Sequence, residues 1–254
     1  MTVPQSGTRR TFPRLVITGT VVATVVAMIV WMAQHFAGPE RASSTETHPA
    51  PVALEITTDR GNVKVMRGGD GQARVDRAVR WYEGDEPGGR GVLDRGILRL
   101  NGTCGDDCQI DYTVWVPPAT PVKVTSSAGN VDVADLTGAV TLSLSHGNAD
   151  LSGLAGPLDV RVSSGNVTAE DISSPGATYH SDHGNVDVTY VSSPSMVDIT
   201  SSSGNIDLRL PSVAAGYQLD VSAMSTEVNM ASTATSPYKV RVAADSGIAK
   251  VSGA

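Results

Sequence analysis

Aromatic side chains make up only 4% of the 254 residues, and just two are phenylalanine. So few rings argue against a broad globular core and suit a narrow β structure filled by Val, Leu, Ile and Ala. Cysteine is almost absent. Cys104 and Cys108, spaced C-G-D-D-C, are the only pair, which excludes a disulfide framework and a two-cluster zinc motif. Positive charge is scarce too: 19 basic residues face 26 acidic ones, for a formal net charge of −7. All the acidic residues lie beyond position 37, whereas Arg9, Arg10 and Arg14 are the only charged residues before it. An acidic domain repels phosphate backbones, so no nucleic-acid partner is expected. The serines lie outside any nucleophile elbow, and no glycine loop has a phosphate-binding pattern, so no enzymatic activity is expected.

An uncharged, largely apolar stretch runs from Leu15 to Ala33. As a helix rising about 1.5 Å per residue it spans roughly 28 Å, close to a hydrocarbon core. The arginines flank only its N-terminal side, which by the positive-inside rule leaves residues 1–14 in the cytoplasm and everything after the helix outside. The sequence thus predicts a cytoplasmic tail (1–14), a transmembrane helix (15–36) and a single-pass protein of the cell membrane with an extracytoplasmic C-terminal domain. A cleaved signal is the competing reading, including a twin-arginine type at Thr8-Arg9-Arg10-Thr11-Phe12. Residues 37–51, rich in Pro, Ser, Thr and charge and containing His48, read as a flexible linker.

Residues 52–120 read as an irregular β cap that includes a first coil around Gly61-Asn62. Alternating segments at 73–83, 92–100 and 109–116 predict strands. Trp81, Tyr82, Tyr112 and Trp115 cluster here and are expected mainly in the core, a ligand platform being the alternative. The turn-forming Gly105, Asp106 and Asp107 bring Cys104 and Cys108 within disulfide range, and outside the cytoplasm such a pair is oxidised. A metal site with the two aspartates fits tetrahedral ligation poorly.

From residue 121 to 254 one dipeptide organises the chain. Gly-Asn recurs at Gly129-Asn130, Gly147-Asn148, Gly165-Asn166, Gly184-Asn185 and Gly204-Asn205, at steps of 18, 18, 19 and 20 residues. A fixed period near this length means stacked copies of one unit. Apolar residues alternate on both sides of each corner, as in Val140, Leu142 and Leu144 before Ala149 and Leu151, so each unit holds two half-buried strands. A left-handed hexapeptide helix is disfavoured because its small-residue positions would fall on Thr137 and Arg161. Two weaker units follow: one at 216–230 with Thr226-Glu227 in place of Gly-Asn, and one from 238 that keeps only Gly247. The predicted fold is all-β: a parallel β-solenoid of seven to nine two-strand coils with an irregular N-terminal cap.

The Ser-x-Gly-Asn-Val-x-Val units behind one N-terminal apolar segment resemble the bacterial putative-adhesin family of unknown function. That resemblance covers 52–254. It implies a membrane-tethered solenoid and carries no catalytic residue. Three residue sets stand out as candidates. Asn130, Asn148, Asn166, Asn185 and Asn205 are expected to form an amide-to-amide ladder along the stack. Asp132, Asp150, Asp187 and Asp207, interrupted by Thr168, form an outward acidic column that either is simply solvated or binds Ca²⁺ weakly. His146 and His183 share one slot two coils apart, too far for joint metal ligation. Asp159 with Arg161 is the nearest grouping to the carboxylate and base of a carbohydrate-active β-helix enzyme, the less favoured alternative function, and both look like outward surface residues. No cofactor is expected beyond weak Ca²⁺. The expected partners are the membrane and a cell-envelope polymer or protein, with self-association through an uncapped C-terminal coil as a second route.

Overall fold

The computed structural model describes residues 38–253, and all of its strands join one hydrogen-bonded sheet. The predicted cytoplasmic tail and transmembrane helix lie outside the described residues. Among those described, no helix is long and apolar enough to cross a membrane.

The sheet folds into two rows of parallel strands linked by corners. One row contains β2 (Ala53–Arg60), β6 (Ile97–Gly102), β8 (Val122–Ala128), β10 (Val140–His146), β12 (Leu158–Ser164), β14 (Gly176–His183) and β16 (Met196–Ser203). The other contains β3 (Val63–Arg67), β7 (Cys108–Val116), β9 (Val131–Ala134), β11 (Ala149–Ser152), β13 (Val167–Ile172), β15 (Val186–Tyr190) and β17 (Ile206–Leu210). Each strand pairs in register with the equivalent strand of the neighbouring coil, as Val140 with Val122 and with Leu158. Alternate residues are buried, giving one continuous core of mainly small aliphatic side chains. The result is a β-solenoid-like repeat fold.

The chain does not visit the coils in sequence order. At the N-terminal end, β6 and β7 stack outside β2 and β3, which pair on their other side with β8 and β9. At the C-terminal end, β19 (Lys239–Gly253) stacks directly on β16 and β17, and β18 (Gln218–Val228) lies outside β19. The C-terminal coil, expected to be the uncapped end of the stack, therefore lies inside it, and β18 is the exposed end. Gly247 is the reason: its backbone sits against the Gly204 carbonyl where any Cβ would collide. β18 lacks this glycine and cuts the corner, moving from the partner of Ala244 to the partner of Ile248 within two residues.

The cap is antiparallel. β4 (Gln72–Trp81) pairs with β7, and β1 (Glu40–Pro49) pairs with β4 along ten residues; β5 (Val92–Asp94) forms a hairpin with β6. The flexible linker expected at 37–51 is thus a strand over most of its length. Its outward Ser43, Thr45 and Thr47 are compatible with an edge strand, and backbone pairing rather than apolar burial holds it. A pattern search for buried apolar residues has nothing to find there.

Candidate interaction surfaces

The Gly-Asn corners are built from backbone geometry. Gly129, Gly147, Gly165, Gly184 and Gly204 have φ between 126° and 150°, a region that side chains disfavour. A Cβ on Gly165 would also lie 1.8 Å from the Gly147 oxygen, and the same clash recurs along the column. The coils are therefore in backbone contact at this corner. At the opposite corner Asp135, Gly153 and Asp171 share left-handed φ values of 58°, 60° and 54°.

The asparagines form a ladder, though of a different kind from the amide-to-amide one expected. Each Oδ1 accepts from the backbone N–H of the next asparagine at 2.9–3.0 Å: Asn130 from Asn148, Asn148 from Asn166, Asn166 from Asn185 and Asn185 from Asn205. The ladder also extends beyond the five predicted members. Asn62 Oδ1 accepts from Asn130 N, Asp111 Oδ1 accepts from Asn62 N, and Asn205 Oδ1 accepts from Ile248 N. Asn62 carried the repeat signal in its sequence. Asp111 carried none, because only the displaced β6–β7 coil brings it under Asn62.

Cys104 and Cys108 form a disulfide with their Cα atoms 5.9 Å apart. It closes the β6–β7 corner, where six of the other coils use Gly-Asn. A loop this short stabilises by roughly 2 kcal/mol in the chain-entropy view.

The outward acidic column is in register across the second row: Asp132, Asp150, Thr168, Asp187 and Asp207 are successive partners. Its ends are basic. Lys64 Nζ lies 2.7 Å from Asp132, Lys250 Nζ lies 3.7 Å from Asp207, and Arg209 reaches Asp187 at 3.1 Å and Asp207 at 2.8 Å. These cations compensate Asp132, Asp187 and Asp207, while Asp150 has no ion pair among the described residues. No group of three or more His, Cys, Asp or Glu among the described residues could hold a metal ion. His146 and His183 do share a column two coils apart. His180 bonds to Thr200 and Asp182, and Arg161 to Asp159.

The cap holds charge that the sequence did not reveal. Arg77 is 2% exposed and binds Glu86 Oε1 at 2.8 Å together with the carbonyls of Pro87 and Gly88. It thereby pins the 82–91 loop over the cap. Tyr112 Oη donates to Gly89 O, and burial raises its pKa to about 12. Glu46, on β1, accepts from Gly91 N at 2.8 Å and contacts His48. The aromatics divide: Trp81 and Tyr112 enter the core, Tyr82 is exposed, and Trp115 is half-buried on the outward face beneath the Arg74 guanidinium, 5.0 Å from its ring centre. Asp76 is held below its ordinary pKa first by the hydrogen bonds from Arg74, which outweigh its partial burial, and further by Thr45.

These features define a repeat protein that offers fixed rows of side chains on flat faces. The chain belongs to the Toastrack DUF4097 family, whose model matches residues 53–253. Solved structures of similar fold include a putative cell adhesion protein from Clostridium sporogenes, at 10% identity and a TM-score of 0.36, covering 85% of this chain and 100% of the other. A putative adhesin from Bacteroides fragilis shares 12% identity at a TM-score of 0.39, with coverages of 85% and 99%. A putative lipid binding protein from Parabacteroides distasonis shares 8% identity at a TM-score of 0.33, with coverages of 86% and 98%. No curated protein matches the chain. None of these likenesses assigns it a ligand.

Proposed function

We propose that the protein is a membrane-tethered, extracytoplasmic, non-enzymatic interaction module that binds a cell-envelope polymer or protein through its solenoid faces. The observation that carries this reading is the rigid register of the outward rows. The Asn ladder and the backbone-to-backbone glycine column hold successive coils in step, so side chains on a face repeat at about the 4.8 Å strand spacing. A polymer with its own repeat can meet such a surface at many points at once. The apolar stretch 15–33 and its one-sided arginines support the tether.

The test is co-sedimentation of the full-length protein with cell-wall material, paired with thermal shift in Ca²⁺ and in chelator. Retention by wall material is expected. Little Ca²⁺ response is expected, because Lys64, Arg209 and Lys250 already compensate three of the four aspartates in the column. No retention and no thermal shift with any envelope fraction would remove the support for this reading.

A second reading, an end-to-end scaffold, is favoured by β18. Segment 232–233 bonds only to its start, through Thr233 N to Tyr217 O and Leu219 N to Ser232 Oγ. From Asp220 to Val228 no strand lies against its outer edge among the described residues, and Met224 is 79% exposed. Open edges of this kind pair with other chains. The scaffold requires size to grow with concentration, and Thr226→Pro, which removes an outward N–H beyond the bulge while the amides facing β19 stay paired, to suppress that growth; a monomer at high concentration excludes it.

A further inference from the structure

The outward face of the antiparallel cap sheet, formed by β1, β4 and β7, carries aromatic, basic and acidic side chains side by side. It is concave in two adjoining places. One cavity of about 220 Å³ is lined by Gly68, Gly69, Gln72, Arg74 and Trp115. The next, of about 320 Å³, includes Ser43, Thr45, Asp76, Ala78, Asp111 and Thr113 in its lining. Both lie along β4, which advances roughly 20 Å from Gln72 to Ala78. Trp115 and Arg74 are direct cross-strand partners, as are Thr113 and Asp76, and Asp76 and Thr45. Three strands therefore supply one groove, and β1 forms its far wall.

Two properties decide what fits. The first is the Trp115 ring, which the Arg74 guanidinium overlies at 5.0 Å from its centre and which still lines the cavity beside Gly68 and Gly69. The second is charge cancellation within the groove. Arg74 donates to both oxygens of Asp76 at 3.0 and 2.8 Å, and Arg80 approaches Asp111 at 3.3 Å. Thr45 Oγ1 donates to Asp76 at 2.9 Å, and Gln109 Nε2 to Asp111 at 3.0 Å. Each charge has an opposite neighbour, so the groove offers no net field to an ion. It keeps spare lone pairs and N–H groups in fixed positions, which match a ligand carrying both donors and acceptors. A peptide strand would instead seek a sheet edge, and this is a sheet face.

From this we infer that the β1–β4–β7 face is a binding groove for a neutral polyhydroxylated glycan, with Trp115 as the stacking platform and Gln72, Arg74, Asp76, Thr45 and Thr113 as the hydrogen-bonding rail. The inference rests on the interaction-module reading and names the ligand class and the face. It also gives the segment that reads as a tether a direct part in recognition.

The experiment titrates the full-length protein in detergent with cellohexaose, maltohexaose and chitohexaose, and separately with an acidic oligogalacturonate, following the heat of binding by isothermal titration calorimetry. Saturable binding is expected with at least one neutral oligosaccharide. Trp115→Ala should weaken it by about tenfold or more, the scale of one lost stacking contact. Gln72→Ala, at the exposed end of the groove, should weaken it less, and Trp115→Phe should keep binding and fold in case the alanine variant does not. No response to any neutral oligosaccharide, tighter binding of the acidic one, or unaltered binding by the Trp115 variants overturns the assignment. Co-sedimentation with wall material separates the two levels. Retention that survives Trp115→Ala discards the groove and leaves the module; failure of the wild type to be retained discards the module.

Discussion

A single methyl group tests the corner. Gly165→Ala places a Cβ against the Gly147 oxygen at a φ of 143°, so it should cost more than about 3 kcal/mol in denaturant unfolding. Gly176→Ala is the control: its nearest contact would be 3.9 Å away, and a change within about 0.5 kcal/mol is expected. Equal effects would show that backbone contact at the corner is not the constraint. The ladder makes a separate prediction. Its rungs use one side-chain oxygen, and Asp111 already fills one position as a carboxylate. Asn166→Asp should therefore be tolerated better than Asn166→Leu, which loses one hydrogen bond and about 1 kcal/mol. An amide-to-amide ladder would penalise both substitutions, so unfolding midpoints of the two variants distinguish them.

At the scale of the element, β1 is the clearest case. A flexible linker exchanges its amide hydrogens at once, whereas a strand paired along ten residues with β4 protects them. Hydrogen exchange should be slow at the alternate amides of 42–47 that face β4, and Glu46→Ala should accelerate it by removing the acceptor for Gly91 N. Fast exchange in the wild type would return the segment to a tether. β18 shows the opposite relation between pattern and place. Its alternation is readable, but without the corner glycine it cannot sit inside the stack, so it becomes the outermost strand.

For the whole molecule, pH reports on the core. Tyr112, Tyr179 and Tyr190 are at most 1% exposed, and burial raises all three above the ordinary 10.0, Tyr112 to about 12. A raised tyrosine pKa favours the folded state fully below pH 10, and that contribution is lost as pH climbs through the folded value. Stability should hold up to about pH 10 and fall towards pH 12 and beyond, with tyrosinate absorbance rising together with loss of the β signal in circular dichroism. Ionisation of these three with the β signal intact would contradict their packing. The period of Gly-Asn and the alternation around it were determined by the sequence alone, because stacking identical coils demands the same residue at the same corner each time. The disulfide was legible from its turn, and the acidic column from its spacing. Other features depend on which coil lies beside which: the insertion of β19 beneath β18, the place of Asp111 under Asn62, the cations that offset the aspartates, the docking of β1 and the groove around Trp115. Apart from Arg209 beside Asp207, those neighbours are about twenty or more residues apart in the chain and leave no local period, so only the tertiary structure could decide them.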